Sequence, residues 1–360
     1  MKKICIIGNN ANGNPVTDGG RIKIRLFVEL LSKTSKVSIL DLCNWKKKIF
    51  FIIREIKRAV KENDVILIMA GPNGCRQIIP LVNFFNKKMK KRVVFCGLGI
   101  GTLDKLVCKK SIEFTTSFLN GDITLKDNFM KKQLKKIDCI LVQNETLLNC
   151  YKKTYDINNV YVLSNFRNVE IKKRQYEQND IFKIIFLSRV TENKGILDLV
   201  QCVKELLLNN FNIQLDIYGE LQLSKNDVVK FNSYLCDKIA YHGQVSPNES
   251  LEKIKQADLF CLPTKYIGEG TPGAVIESLI AGTPVLLSNY SQAKNIIQDG
   301  CNGILCNLND INDLKNKLIY CYNNYELLKK ISFQSQEYSK QFVFSTYENA
   351  FYNYILGDKQ

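Results

Sequence analysis

The 360-residue sequence predicts an α/β protein built from two doubly wound domains, each on a parallel sheet. Three observations predict it. Short apolar, β-branched runs alternate with longer helical patterns over residues 4–163, and the scheme then repeats over 184–287. The strand runs are apolar at consecutive positions, which suits parallel strands covered by helices on both faces. At roughly 100–200 residues per domain, the length also divides into two or three domains. Repeated βαβ alternation of this kind argues for a parallel sheet in each half.

The strands follow in order. Ile4–Ile7, Val37–Leu40, Val65–Met69, Val93–Phe95, Cys139–Val142 and Val160–Leu163 belong to the first half. Ile184–Leu187, Ile213–Tyr218, Ile239–Tyr241, Leu259–Leu262 and Val285–Leu287 belong to the second. Helical patterns fall at Ile196–Leu208, Asn248–Gln256 and Ala274–Ala281. The polar stretch Val169–Asp180 lacks periodicity and reads as the join, giving domains at 1–170 and 171–340. The closing run Tyr338–Leu356, rich in Phe and Tyr, reads as one helix, with 341–360 set apart as a terminal segment.

Composition narrows the class. Apolar residues make up 45% and charged residues 24%, which excludes a disordered or fibrous chain. Thirteen cysteines occur without a Cys-x-x-Cys pair and with a single histidine, His242, so no zinc site is expected. Their odd count and wide spacing fit a reduced, cytoplasmic protein. Met1-Lys-Lys opens like a signal peptide, but the apolar run ends at polar Asn9 and Asn10 and reads instead as a strand. No apolar run approaches the ~18 residues of a membrane span.

The net charge of +16 is unevenly shared: residues 1–170 hold 31 Lys and Arg against 14 Asp and Glu, and 171–360 hold 20 against 21. Such asymmetry suggests that the first half meets a polyanion, either nucleic acid or an anionic bilayer. Lysine-rich solvated faces are the plain alternative. No zinc-finger or RNP-type motif surrounds the basic clusters, which disfavours nucleic acid. The stretch Trp45–Lys61 puts Ile49, Ile52, Ile53, Ile56 and Val60 on one helical stripe, with Trp45, Phe50 and Phe51 beyond it among seven cations. That pattern fits a basic amphipathic helix in a bilayer interface, and equally a helix packed on its own sheet.

Three stretches could carry chemistry. Gly8–Gly13 and then Gly19-Gly20 follow the first strand and open a helix, where backbone can approach a phosphate. The spacing is not Gly-x-Gly-x-x-Gly, so no nicotinamide fingerprint is matched. Arg189-Val-Thr-Glu-Asn-Lys194-Gly195 runs from a strand into a helix. Cations there oppose the helix dipole unless an anion lies between them, so the pair suits a diphosphate. As loop cations they are expected to add little to stability. Glu269-Gly270-Thr271-Pro272-Gly273 leads to Glu277, with Pro272 placed to start a helix. The two carboxylates can reach opposite ends of an elongated ligand, with backbone donors at 270–273 between them. A carboxylate suits sugar hydroxyls because it accepts two hydrogen bonds at once. Solvated glutamates and an ordinary charged loop are the plain alternatives.

Glu269 and Glu277 resemble the Glu-x7-Glu motif of retaining glycosyltransferases of the sugar-nucleotide-dependent group called family 4. Ala257–Pro263, Ala281–Pro284 and Asp299–Gly303 fit the surrounding pattern. The resemblance implies the GT-B fold: two Rossmann-like domains facing a central cleft, acceptor-binding then donor-binding, with a terminal helix crossing back to the first. It implies that Glu277 binds the donor ribose and Glu269 the transferred sugar, helped by backbone at Gly270, Thr271, Pro272 and Gly273. Arg189, Lys194 and Gly195 fall at diphosphate positions, and Gly19 and Gly20 at the N-terminal glycine loop. Tyr241–Val245 lies where such enzymes hold the base, which adds Val245, while His242 reads as structural.

This chain lacks the N-domain histidine that many members place near the acceptor, which leaves Gly99–Asp104 as a candidate acceptor loop. No Asp-x-Asp occurs, consistent with catalysis that needs neither metal nor cofactor. The expected function is hexosyl transfer from a nucleotide diphosphate sugar, UDP-linked by family frequency, to a glycan acceptor in cell-surface polysaccharide synthesis such as capsule or O-antigen. A lipid-linked acceptor would bring the enzyme to the inner face of a membrane. A GT-B sugar-nucleotide epimerase and a non-catalytic basic adaptor are the rivals.

Overall fold

Each expected strand forms, and the strands pair in parallel in two six-stranded sheets. The computed structural model describes residues 1–10, 19–44, 48–97, 128–154, 156–177, 179–267 and 269–357. Most of the expected glycine loop (11–18), Trp45 and the expected acceptor loop Gly99–Asp104 lie outside those residues. The described chain divides into two compact units, one of Met1–Ser164 with Tyr347 onward, the other of Asn165–Thr346.

The first sheet runs β2-β1-β3-β4-β5-β6, from β1 (Lys3–Gly8), β2 (Lys36–Asp41), β3 (Val65–Met69), β4 (Arg92–Cys96), β5 (Cys139–Val142) and β6 (Val160–Val162). Successive side chains point to opposite faces. Ile7, Ile66, Ile68, Val93, Phe95 and Ile140 therefore form one core with α2 (Ile49–Glu62), α3 (Pro72–Met89) and α4 (Asn128–Leu134). Ile52, Ile56 and Val60 of α2 are buried there. Phe50 stays 86% exposed, Phe51 48%, and Phe84 on neighbouring α3 73%. One stripe of α2 thus packs on its sheet, while Phe50 and Phe51 face outward.

The second sheet runs β12-β11-β10-β7-β8-β9. Its strands are β7 (Phe182–Leu187), β8 (Ile213–Tyr218), β9 (Ile239–Tyr241), β10 (Leu259–Leu262), β11 (Val285–Ser288) and β12 (Ile304–Cys306). The sequence reading has no counterpart of β12. The helices that position the site are α6 (Ile196–Leu208), α8 (Pro247–Lys255) and α9 (Gly273–Ala281), with α5 (Glu145–Asn149) and α7 (Lys225–Tyr234) lying elsewhere. Pro247 and the Ser246–Glu249 capping box start α8. Gly282, at φ +69°, ends α9 in a left-handed turn.

Two expectations need correction. The polar stretch 169–180, read as the join, lies within the second unit. Arg174 donates to the Ala257 carbonyl at 2.7 Å and to Thr283 Oγ1, and Tyr176 donates to the Asp258 carbonyl at 2.8 Å. These bonds tie the stretch to the second unit, so residues 165–170 group with that unit as well.

The closing run is also not one helix. After α10 (Ile311–Asn323), α11 (Tyr325–Ser339) ends in a short 3-10 turn, and Val343 is extended before α12 (Phe344–Leu356). The break is fixed by pairing, because Arg167 N donates to the Phe342 carbonyl and Phe344 N to the Arg167 carbonyl. The end of α12 docks within the first unit. Phe351 meets Phe27 of α1 (Gly19–Ser32) edge-on at 4.9 Å, and Lys2 and Arg92 donate to the carbonyls of Leu356, Ile355 and Tyr354. Cations there complement a helix C-terminus.

Candidate active site

The order of the second sheet reverses between β7 and β10, since β8 and β9 continue on one side and β11 and β12 on the other. Loops leaving two adjacent parallel strands diverge at such a point, and ligands of open α/β sheets bind in the crevice this makes. The loop after β7 carries Arg189, Lys194 and Gly195, and the loop after β10 carries Glu269, Gly270, Thr271 and Pro272. Gly195 lets the two loops touch. It sits at φ +75°, and a Cβ there would stand 1.8 Å from the Pro263 carbonyl oxygen.

Lys194 and Glu269 meet across the junction as an ion pair, Nζ on Oε2, with 11% and 15% of their side chains exposed. The charged start of α6 therefore has its anion, supplied by the other loop. Thr264 Oγ1 lies 3.0 Å from the Asn193 carbonyl and 3.4 Å from Glu269 Oε2. Lys265 donates its backbone N–H to the same carbonyl and its ammonium to Asp198 of α6 at 2.9 Å, which ties the loops further.

Three successive carbonyls of the second loop are held by side-chain donors. Gln292 donates to the carbonyl of Glu269 at 3.1 Å, Tyr290 to that of Gly270 at 2.9 Å, and Asn165 to that of Thr271 at 2.8 Å. A trans peptide sets N–H opposite C=O, so holding these carbonyls aims the amides of 270 and 271 away from those donors. Burial, and then the charge of Glu269, push the Tyr290 hydroxyl well above its ordinary range and keep it a donor. Pro272 is the N-cap of α9, which begins at Gly273. The helix start thus adds the amides of its first turn, which have no partner within the helix, and a dipole favourable to anions.

Glu277, one turn into α9, engages a different cation. Its Oε1 accepts from Arg167 Nε at 2.7 Å, and Ser250 Oγ on α8 lies 2.9 Å from Oε2. Ser250 Oγ also lies 2.9 Å from the Pro247 carbonyl. Its single proton favours the carboxylate, the stronger acceptor. A Cβ on Gly273 would stand 2.1 Å from Arg167 Nη2, so the guanidinium occupies the room beside the helix start.

The remaining candidates fall around this centre or apart from it. Arg189 is exposed at the start of the first loop. Val245 lies half-buried in the loop after β9, which is tied to the loop after β8 by Gly219 N donating to the Gly243 carbonyl at 2.7 Å. His242 stacks on Tyr218 at 4.7 Å and hydrogen-bonds Asp216 at 2.7 Å. Gly19 and Gly20 form the first turn of α1, in the other unit. Among the described residues, no three His, Cys, Asp or Glu side chains come together as a metal-holding group.

The sequence reading misses Arg167, Ser250, Tyr290 and Gln292. Polar residues just beyond strand ends are a usable signal for Tyr290 and Gln292, which follow β11. Arg167 and Ser250 carry none, because their partner lies 110 and 27 residues away.

Residues 168–338 match the model of the glycosyl transferases group 1. An uncharacterized glycosyltransferase of Methanocaldococcus jannaschii is 29% identical over 186 residues, 51% of this chain and 50% of that protein. The poly(ribitol-phosphate) alpha-N-acetylglucosaminyltransferase of Staphylococcus aureus is 24% identical over 241 residues, 64% of this chain and 47% of that protein. The chain spans about half the length of these curated relatives. An Anabaena protein crystallised with UDP-glucose superposes with a TM-score of 0.72 at 12% identity, covering 99% of this chain and 100% of that one. The chain therefore has the GT-B fold, with a group 1 glycosyl transferase match across residues 168–338.

Proposed function

We propose that this chain is a retaining glycosyltransferase of the family 4 type, moving a hexosyl unit from a UDP-linked sugar to a glycan acceptor. The observation that carries the reading is the pairing of Lys194 with Glu269 at the switch point of the second sheet, near the N-terminus of α9. A diphosphate entering there meets Arg189, Lys194 and the helix amides, while Glu269 and Glu277 present acceptors for hydroxyls on either side. Charge develops on the leaving diphosphate, and donors already in place stabilise it most in the transition state. In this reading the second unit takes the donor and the first takes the acceptor. Same-face attack, with the donor phosphate receiving the hydroxyl proton, needs no protein nucleophile.

Cell-surface polysaccharide synthesis is the proposed setting, supported by the poly(ribitol-phosphate) transferase among the relatives. An anionic bilayer is the proposed docking partner of the first unit. Phe50, Phe51 and Phe84 are exposed on adjacent α2 and α3, and Arg54, Lys57, Arg58, Lys87 and Lys88 are exposed on the same helices. No helix among the described residues is long and apolar enough to cross a membrane.

Donor hydrolysis measured with a panel of sugar nucleotides, with and without EDTA, tests the enzyme reading. Glu277→Ala should weaken UDP binding by about 1.5–3 kcal/mol, the worth of a charged hydrogen bond. Equal UDP affinity in wild type and Glu277→Ala would remove the ribose assignment.

A further inference from the structure

We infer that Arg167 is a positioning residue for ribose recognition: it orients the Glu277 carboxylate toward a ribose diol and so sets discrimination between ribo- and 2′-deoxyribonucleotides. The inference rests on the donor reading above, which gives Glu277 the ribose. An ionised carboxylate has about four acceptor sites, two on each oxygen. Arg167 takes one on Oε1 and Ser250 one on Oε2. One site is left on each oxygen, which is the arrangement that a cis-diol can bridge with two donated hydrogen bonds.

Both donors come from elements other than α9, so the carboxylate is braced from outside its own helix. Arg167 is braced in turn. Its Nη1 donates to the Phe166 carbonyl at 3.1 Å, and its backbone is bridged to the segment between α11 and α12. The absence of a side chain at Gly273 gives the guanidinium its place, since a Cβ there would overlap Nη2. A cation at a helix N-terminus is disfavoured by the dipole, so it is Glu277 that keeps the guanidinium there. A lone carboxylate at this position, 13% exposed, would be free to turn about its side-chain bonds.

The test is titration calorimetry with UDP and 2′-deoxy-UDP on wild type, Arg167→Ala and Gly273→Ala. Wild type should prefer UDP by about tenfold or more, the scale of one charged hydrogen bond. In Arg167→Ala the preference should fall to about twofold or less, whatever happens to absolute affinity. Gly273→Ala keeps the arginine but pushes its tip aside, which a flexible side chain allows without unfolding, and should lose the preference likewise. A merely structural clamp would weaken both nucleotides equally. A preference kept in both variants overturns this inference while leaving the donor reading intact. A wild-type protein that binds neither nucleotide, or binds both equally, overturns the donor reading and this inference with it.

Discussion

Splitting the Lys194–Glu269 pair should cost the second unit stability that removal of Arg189 does not. Lys194→Met leaves the Glu269 carboxylate largely covered, with Thr264 Oγ1 3.4 Å away and closer to the Asn193 carbonyl. Glu269→Gln leaves the ammonium equally uncompensated. Breaking a fully buried pair from one side costs about 3–5 kcal/mol. The side chains here are 11% and 15% exposed, so water relaxes part of that, and about 2–3 kcal/mol is expected for each single change. For a unit of this size, that is a drop of roughly 4–12 °C in melting temperature. The double variant Lys194→Met/Glu269→Gln should lose less than the sum of the singles, by about 2 kcal/mol, because the second change removes the charge stranded by the first. Urea denaturation of the four proteins, with Arg189→Ala as the exposed control, measures this. Single changes that add to within about 0.5 kcal/mol would refute the pairing argument. So would an Arg189→Ala loss as large as that of Lys194→Met. The pairing of Lys194 with Glu269 is what sets its expected loss apart from that of exposed Arg189.

Gly195→Ala should destabilise the second unit by more than the ~1–2 kcal/mol cost of a left-handed backbone, because its Cβ also overlaps the Pro263 carbonyl; a urea midpoint equal to wild type would contradict this. Burial pushes the thiols of Cys75, Cys139, Cys202, Cys306 and Cys321 up to about 12, from an ordinary 9.0. The native state then holds protons that the unfolded chain releases, so this contribution is whole below pH 9 and falls as pH rises toward 12. Stability should therefore fall with each pH unit above 9, and a urea midpoint that does not fall between pH 8 and pH 10 would count against it. Sedimentation with anionic liposomes should weaken as salt rises, and Phe50→Ser with Phe51→Ser should reduce it at unchanged melting temperature, because both rings face outward. A lowered melting temperature with unchanged liposome binding would make them core residues instead.

Most of the strands are legible in the sequence alone. Parallel strands buried on both faces must be apolar at consecutive positions, so Ile4–Ile7 and Leu259–Leu262 announce themselves within a few residues. The sequence also marks the loops that carry Lys194 and Glu269 and the start of the helix that carries Glu277, because such loops have their own punctuation in Gly195, Pro272 and Gly273. Which charges meet depends on how the chain is folded. The reversal of strand order between β7 and β10 brings Lys194 to Glu269 across 75 residues of chain. Pairing of Arg167 with Phe342 and Phe344 breaks the closing run that reads as one helix, and the same arginine reaches Glu277. Local patterns record burial and backbone geometry, which each residue meets alone. Partnership between distant side chains depends on strand order and loop direction, and no window of neighbouring residues contains either.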